Sequence, residues 1–374
     1  MCEKVIIAQD IEKTIYPHFM LKEIYQQPEV FKKTLEGRIN GNSADFSELG
    51  IPVEEIKNWK KIFFVACGTS YHASLVGKEI LERCTNIPVE VELASEYRYR
   101  KALVDKDTLV IVISQSGETT DTLESIQKSK DAGAKVLAIT NVVDSPIARK
   151  SNYVAYIWAG KEVSIASTKA YTATLIALYL LTLYIAEIKG TMDQKELSLL
   201  VTELAKMPHY SKLALEDAMP KEIAEFLKPE TDAFYVGRGI DKLIALEGVL
   251  KLKETSYMHA EAYAAGELKH GTFALLSNET NMMVINTQKE LSDKTLLNAQ
   301  EVREKGARLF ILAQAGDEES KNYADKVLYI PKMHDFFTPI IAAIPLQLLA
   351  YYTALGKGRN VDQPRNLTKA VTEE

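Results

Sequence analysis

Residues 108–122 read TLVIVISQSGETTDT. The opening run holds four β-branched apolar side chains in succession, Val110, Ile111, Val112 and Ile113. A strand without polar alternation is covered on both faces, as in a parallel sheet. Five hydroxyls then follow in nine residues: Ser114, Ser116, Thr119, Thr120 and Thr122, grouped around Gly117. One explanation is a solvated turn leading into a capped helix. The other is an oxyanion site. In open parallel sheets ligands bind beyond the carboxyl ends of the strands, and a helix N-terminus offers N–H groups and a positive dipole end.

The rest of the chain repeats this organisation. KIFFVACG (61–68), VEVEL (89–93), AKVLAIT (134–140) and YVAYIWA (153–159) read as further strands. Helices are expected over 69–84 and about 119–132, and from Ser167 to about Lys189. Residues 191–228 are helical and charged, with no strand candidate, and read as a connection. The rhythm then resumes with AFYVGRG (233–239), a helix over about 242–257, and strands NMMVINT (281–287), RLFILAQ (308–314) and KVLYIP (326–331). A long apolar helix over about 336–356 closes the second block. FFVACGTS and AFYVGRGI both place a glycine turn after the first strand, roughly 170 residues apart, which points to an internal duplication. The expected organisation is an N-terminal helical segment (1–44), an α/β domain (45–190), the connection (191–228), a second α/β domain (229–356) and a C-terminal tail (357–374). MLKEIYQQPEVFKKTL (20–35) is a helix that Pro28 interrupts. The fold class is α/β: two tandem mostly parallel sheets, each flanked by helices in three layers, flavodoxin-like.

Composition narrows the function. The chain has 374 residues, is 47% hydrophobic and carries a net charge of −6. No basic stripe with interleaved aromatics suggests nucleic acid. Three cysteines, Cys2, Cys67 and Cys84, form no disulfide framework and suit a reducing, cytoplasmic setting. The apolar stretches 171–186 and 336–356 are read as core helices, with no membrane role. Neither a Walker-type loop nor a full dinucleotide fingerprint is present, so the ligand of the hydroxyl cluster is a small phosphate ester. Two more hydroxyl turns support this. CGTS (67–70), with Thr69 and Ser70, follows the first strand, and IASTK (165–169), with Ile165 and Ser167, opens the last helix of the first block.

The second block holds the reactive types. Glu247, Lys251 and Glu254 share one helix face, a spacing that serves an exposed ion-pair ladder as readily as an active site. His270 precedes a glycine in ELKHG, and Lys369 lies in the polar tail DQPRNLTKAVTEE.

Together ACGTSYHA, SQSGETTDT, ASTKAYT, LKLKETSYMHAEAYAAGELKHG and VDQPRNLTKAVT resemble the isomerase half of glucosamine-6-phosphate synthase, the glutamine:fructose-6-phosphate aminotransferase. That half consists of two sugar isomerase (SIS) domains. The hydroxyl clusters mark the superfamily. The HAEAYAAGELKHG helix and the DQPRNLTK tail are more specific to the synthase. The resemblance covers roughly residues 17–374 and implies roles by position. Ser70, Ser114, Gln115, Ser116, Thr119, Ser167 and the backbone at Ile165 match sugar-phosphate-binding residues, with Thr69 beside them. Glu254 matches the base that moves a proton between C1 and C2. His270 matches the ring-opening residue supplied by the neighbouring subunit. Lys369 matches the Schiff-base lysine, and Glu247 and Lys251 match supporting residues. The implied ligands are fructose 6-phosphate, glucosamine 6-phosphate and glucose 6-phosphate. The implied assembly is a homodimer with a shared site, and no metal or other cofactor is required. Cys2 follows Met1 as the family's glutaminase nucleophile would, but CEKVIIAQD lacks that domain's CGIVG context. Cys2 is therefore read as incidental, with any glutaminase a separate domain or subunit. The alternative reading is a stand-alone SIS-type glucosamine-6-phosphate deaminase.

Overall fold

The computed structural model describes residues 16–372, so Cys2 and its reading lie outside the described residues. The chain packs as two compact units. One comprises residues 29–161, 170–208 and 368–372, the other 16–28, 162–169 and 209–367.

The first unit holds a five-stranded sheet, parallel throughout, from Lys61–Ala66, Val89–Leu93, Thr108–Ser114, Lys135–Thr140 and Tyr153–Tyr156. In space the order is second, first, third, fourth, fifth. This is the flavodoxin-like order, whose switch point falls between the first and third strands. All seven residues of Thr108–Ser114 are buried. Alternation along each strand sends side chains to opposite faces. Phe63, Val65, Val110 and Val112 pack with Ile126 of helix Thr120–Asp131 and with Tyr97. Phe64 faces the other way, towards helices Gly68–Thr85 and Lys169–Lys189.

The second unit repeats the plan with strands Asp232–Gly237, His259–Ala264, Asn281–Asn286, Arg308–Gln314 and Lys326–Ile330, again parallel and in the same order. Helix Ser292–Glu304 covers one face, and helices Ile240–Ser256 and Thr338–Gly356 cover the other. The two most apolar helices, Lys169–Lys189 and Asp335–Gly356, have 83% of their apolar windows buried and are core elements.

Three local readings change. His259–Ala264 is an edge strand, where a helical continuation was expected. Tyr257 at φ +61 ends the preceding helix and reverses the chain into it. The strand at Tyr153 stops at Tyr156. The helix expected over 20–35 is two helices, Phe19–Tyr25 and Gln27–Leu35, parted at Gln26 two residues before Pro28. A short strand pair, Ile39–Asn40 with Ser43–Ala44, carries no sequence signal of its own.

The duplication extends to single contacts. A Cβ on Gly77 would come 2.8 Å from the Phe64 ring, and one on Gly248 would come 2.9 Å from the Tyr235 ring. Each glycine lets the helix that follows the first strand of its sheet close on that strand and on the unit's long apolar helix. Gly77→Ala and Gly248→Ala should each destabilise by about 1–3 kcal/mol, because overpacking outweighs the gain in helix propensity. Thermal denaturation should show Tm lower by a few degrees in both variants. A raised Tm would mean that the rings yield and the close approach is not a constraint.

Candidate active site

The first unit's strand ends assemble a hydroxyl-lined turn. Ser114, 4% exposed, accepts the Gly117 N–H at 3.1 Å and shares a 3.1 Å hydrogen bond with the Thr119 hydroxyl. The Ser116 hydroxyl accepts the Glu118 N–H at 3.3 Å. Gly117 has φ +70, and a Cβ there would lie 2.1 Å from Ser145 Oγ, so only glycine folds the turn this tightly. Thr119 precedes helix Thr120–Asp131 but makes no side-chain cap, since its hydroxyl is turned to Ser114. Helix Gly68–Thr85, which carries Thr69 and Ser70 in its first turn, also starts without a side-chain cap. The ordinary capping explanation therefore fails for both helices. What remains is a set of hydroxyls and helix-start N–H groups suited to an anion. Gln115 and Ser116 are half-buried beside it.

The second unit treats the same place differently. Gly68 (φ +53) and Gly239 (φ +54) follow equivalent strands, and two residues beyond them stand Ser70 and Asp241 respectively. Asp241 is buried, and its carboxylate accepts the Thr287 N–H at 2.8 Å and the Thr287 hydroxyl at 2.5 Å. The Thr287 hydroxyl lies 2.8 Å from that of Thr338. The second sheet thus carries its own anion at the switch point and disfavours another. Burial pushes the Asp241 carboxyl up to about 6, against hydrogen bonds from Thr287 and the Gln288 amide, and Asp335 adds to the rise.

Helix Ile240–Ser256 brings Glu247, Lys251 and Glu254 together. The Lys251 ammonium lies 2.6 Å from Glu254 and 3.4 Å from Glu247. Their side-chain exposures are 1% for Lys251, 3% for Glu247 and 22% for Glu254, which excludes a solvent-facing ladder. Burial opposes the Lys251 charge, but Glu254, Glu247 and Glu162 outweigh it and raise its pKa. Lys251 is a fixed ammonium, and Glu254 is the carboxylate of the group that solvent still reaches.

Glu162 was not singled out in the sequence, where it reads as one charge in a polar loop. It is 5% exposed, and its carboxylate accepts the Thr168 N–H at 3.0 Å. With Glu23, which accepts the Val163 and Ser164 N–H groups, it shapes the turn that bears Ile165 and Ser167. That turn packs with the second sheet's unit, so the three hydroxyl turns do not all belong to the first unit. The Ile165 N–H donates to the Asp362 carbonyl at 3.1 Å, and the Asp362 carboxylate accepts the N–H groups of Phe19 and Met20. Arg365 stacks on Tyr257, and its N–H donates to the Tyr257 hydroxyl at 2.8 Å. His270 is exposed at the end of the 3-10 turn Ala265–His270. Lys369 is half-buried within the first unit. Among the described residues no group of three or more His, Cys, Asp or Glu could hold a metal ion.

Two parallel sheets with the flavodoxin-like order, one with hydroxyl-rich turns at its strand ends, define a doubly covered class of α/β protein. The chain belongs to the SIS domain family, whose pattern it matches over residues 55–184 and 226–356. Within that family it groups with the C-terminal domains of glucosamine-fructose-6-phosphate aminotransferases. The solved domain from Francisella tularensis is 40% identical with a TM-score of 0.91, covering 94% of this chain and 99% of that one. A glutamine–fructose-6-phosphate aminotransferase (isomerizing) from Symbiobacterium thermophilum is 49% identical over 97% of this chain. The chain spans about 60% of the length of the curated relatives it matches. A glucosamine-6-phosphate deaminase from Thermotoga maritima is 23% identical with a TM-score of 0.75, covering 95% of this chain and 99% of that one, a likeness of fold alone.

Asp241 generates a pH prediction. Its folded pKa is raised, so its contribution is fully favourable when protonated, below about pH 4. The contribution is lost as pH rises towards about 6, by an amount on the order of 3 kcal/mol. Asp241→Asn removes that titration. The stability of wild type relative to the variant should therefore fall between pH 4 and pH 7 in paired denaturation curves. A difference that stays flat or rises would mean that Asp241 is not held as an unfavourable buried anion.

Proposed function

We propose that this chain is the ketose–aldose isomerase module of a glucosamine-6-phosphate synthase, acting in the cytoplasm. The overall conversion joins fructose 6-phosphate and ammonia to give glucosamine 6-phosphate and water. Ser70, Ser114, Gln115, Ser116 and Thr119, with Thr69 beside them, bind the phosphate. Ser167 and the Ile165 backbone hold the sugar. His270 shuttles the ring-opening proton. The Lys369 amine condenses with the C2 carbonyl and releases water; ammonia then displaces the lysine nitrogen, which regenerates the Lys369 amine and leaves an ammonia-derived imine at C2 that enolises more readily than a ketone. Glu254 carries the proton between C1 and C2, with Lys251 and Glu247 holding its charge and orientation. Remote binding of the phosphate orients the reacting carbons.

The observation that carries this reading is the buried Glu247–Lys251–Glu254 group. A fully buried ammonium clamped by carboxylates is costly unless it is needed, and it leaves one partly accessible carboxylate ready for proton transfer. The test is incubation with fructose 6-phosphate, with and without ammonium, and then with glucosamine 6-phosphate. Ammonium-dependent glucosamine 6-phosphate formation supports the synthase module. Release of ammonia as the dominant reaction favours a deaminase, and inactivity in both directions overturns both. Ser116→Ala and Thr119→Ala should each weaken fructose 6-phosphate binding by about tenfold or more, the cost of one hydrogen bond to a charged group. Unchanged affinity by calorimetry would remove the phosphate from this turn.

The proposed assembly is a homodimer in which His270 of one copy serves the site of the other. It is supported by the exposure of His270 at the surface of its own chain. His270→Ala and Glu254→Gln variants, each inactive alone, should regain partial activity after subunit exchange. A mixture that stays inactive despite demonstrated exchange refutes the shared site.

A further inference from the structure

Thr120 is the first residue of helix Thr120–Asp131, directly after the hydroxyl turn. Its N–H donates to the carbonyl of Val371 at 3.3 Å, and its hydroxyl donates to the next carbonyl, that of Thr372, at 3.0 Å. One residue therefore grips two successive peptide groups of the C-terminal tail, two residues beyond Lys369. The helix dipole favours this, because carbonyl oxygens are negative and the helix start is positive.

Around residues 367–371 the tail's apolar side chains contribute little hold. Val371 is 59% exposed and Leu367 is 41% exposed, so their burial supplies only part of the usual driving force. Thr368 turns its own hydroxyl back to the Ala370 carbonyl at 3.1 Å, which bends the tail locally but does not anchor it. The backbone hydrogen bond to the Thr120 N–H survives any substitution except proline. The hydroxyl bond depends on the side chain, and serine could supply it as well.

We infer that Thr120 is the positioning residue for Lys369, clamping the tail's last turn to the helix that borders the phosphate cradle. This rests on the reading of Lys369 as the imine-forming lysine. Binding and tail docking then use adjoining parts of one helix start. Ser114, Gln115, Ser116 and Thr119 take the phosphate, while the Thr120 N–H and hydroxyl are committed to the tail. A positioning residue of this kind alters how often the amine is in place, not how tightly the phosphate is held.

The test compares Thr120→Val, which keeps the shape and the N–H but removes the hydroxyl, with Thr120→Ser, which restores it. Deuterium uptake of the peptide covering 366–372 should quicken in the Val variant and return to wild-type rates in the Ser variant. Borohydride trapping of fructose 6-phosphate on Lys369, and kcat, should fall roughly three- to tenfold in the Val variant. KM for fructose 6-phosphate should stay within about twofold, and Tm should be unchanged. Wild-type uptake in the Val variant overturns the clamp whatever Lys369 does. A drop in kcat that Ser fails to restore also overturns it. Faster uptake together with an adduct mapped to another lysine keeps the clamp and refutes the role given to Lys369, so the two failures are separable.

Discussion

A parallel sheet has to be buried on both faces, and the rest of this structure follows from that requirement. The crossovers that link parallel strands bring helices over the sheet, so strand residues such as Val110 to Ile113 meet apolar neighbours whichever way they point. The cover must be apolar too, which explains two helices as hydrophobic as Lys169–Lys189 and Thr338–Gly356 in a chain of ordinary composition. Polar groups are left only the strand ends. Ser114, Gln115 and Ser116 appear at the first residue positions where the sheet stops needing apolar side chains. The glycines Gly77 and Gly248 belong to the same constraint, since each lets a helix lie directly on the ring of a first-strand residue.

Duplication supplied two copies of this arrangement, and a single substitution type distinguishes them. Ser70 and Asp241 hold corresponding positions. A neutral hydroxyl leaves room for an external anion, whereas a carboxylate occupies that room and takes the N–H of Thr287 for itself. Keeping Asp241 buried costs free energy, as its raised pKa indicates. The network of Thr287, Thr338 and Gln288 offsets part of that cost. The second unit's buried ion-pair group lies along the helix that begins one residue before Asp241.

The extent to which this was legible in the sequence depends on how local each signal is. Continuous β-branched runs identified most strands because a doubly covered sheet leaves no alternation to misread. The edge strand His259–Ala264 escaped because it holds no β-branched residue, and Glu261, Ala262 and Ala264 are half-exposed, so the segment resembled more helix. Its counterpart, Val89–Leu93, was legible through Val89 and Val91. The spacing of Glu247, Lys251 and Glu254 placed them on one face but could not say which face was buried. That depends on neighbours far away in the chain. Glu162 and the Thr120 clamp were hidden for the same reason. A carboxylate that binds a backbone N–H in a loop, or a threonine that meets a carbonyl some 250 residues away, leaves no periodic trace.

The two lysines show why chemical role cannot be taken from residue type. An imine-forming lysine must present a neutral amine for part of the time. Lys251 cannot, because desolvation that would favour the neutral form is overcome by Glu254, Glu247 and Glu162. Separating its charge from those partners would leave unpaired ions in a buried site, a loss on the order of 3–5 kcal/mol. Its permanent charge has another consequence, since the 2.6 Å ion pair holds Glu254 in one position. Under the reading proposed for Lys369, the nucleophile sits outside this buried network. Lys251 is bound to its carboxylate partners along its own helix, whereas Lys369 lies on a polar tail held through two backbone carbonyls.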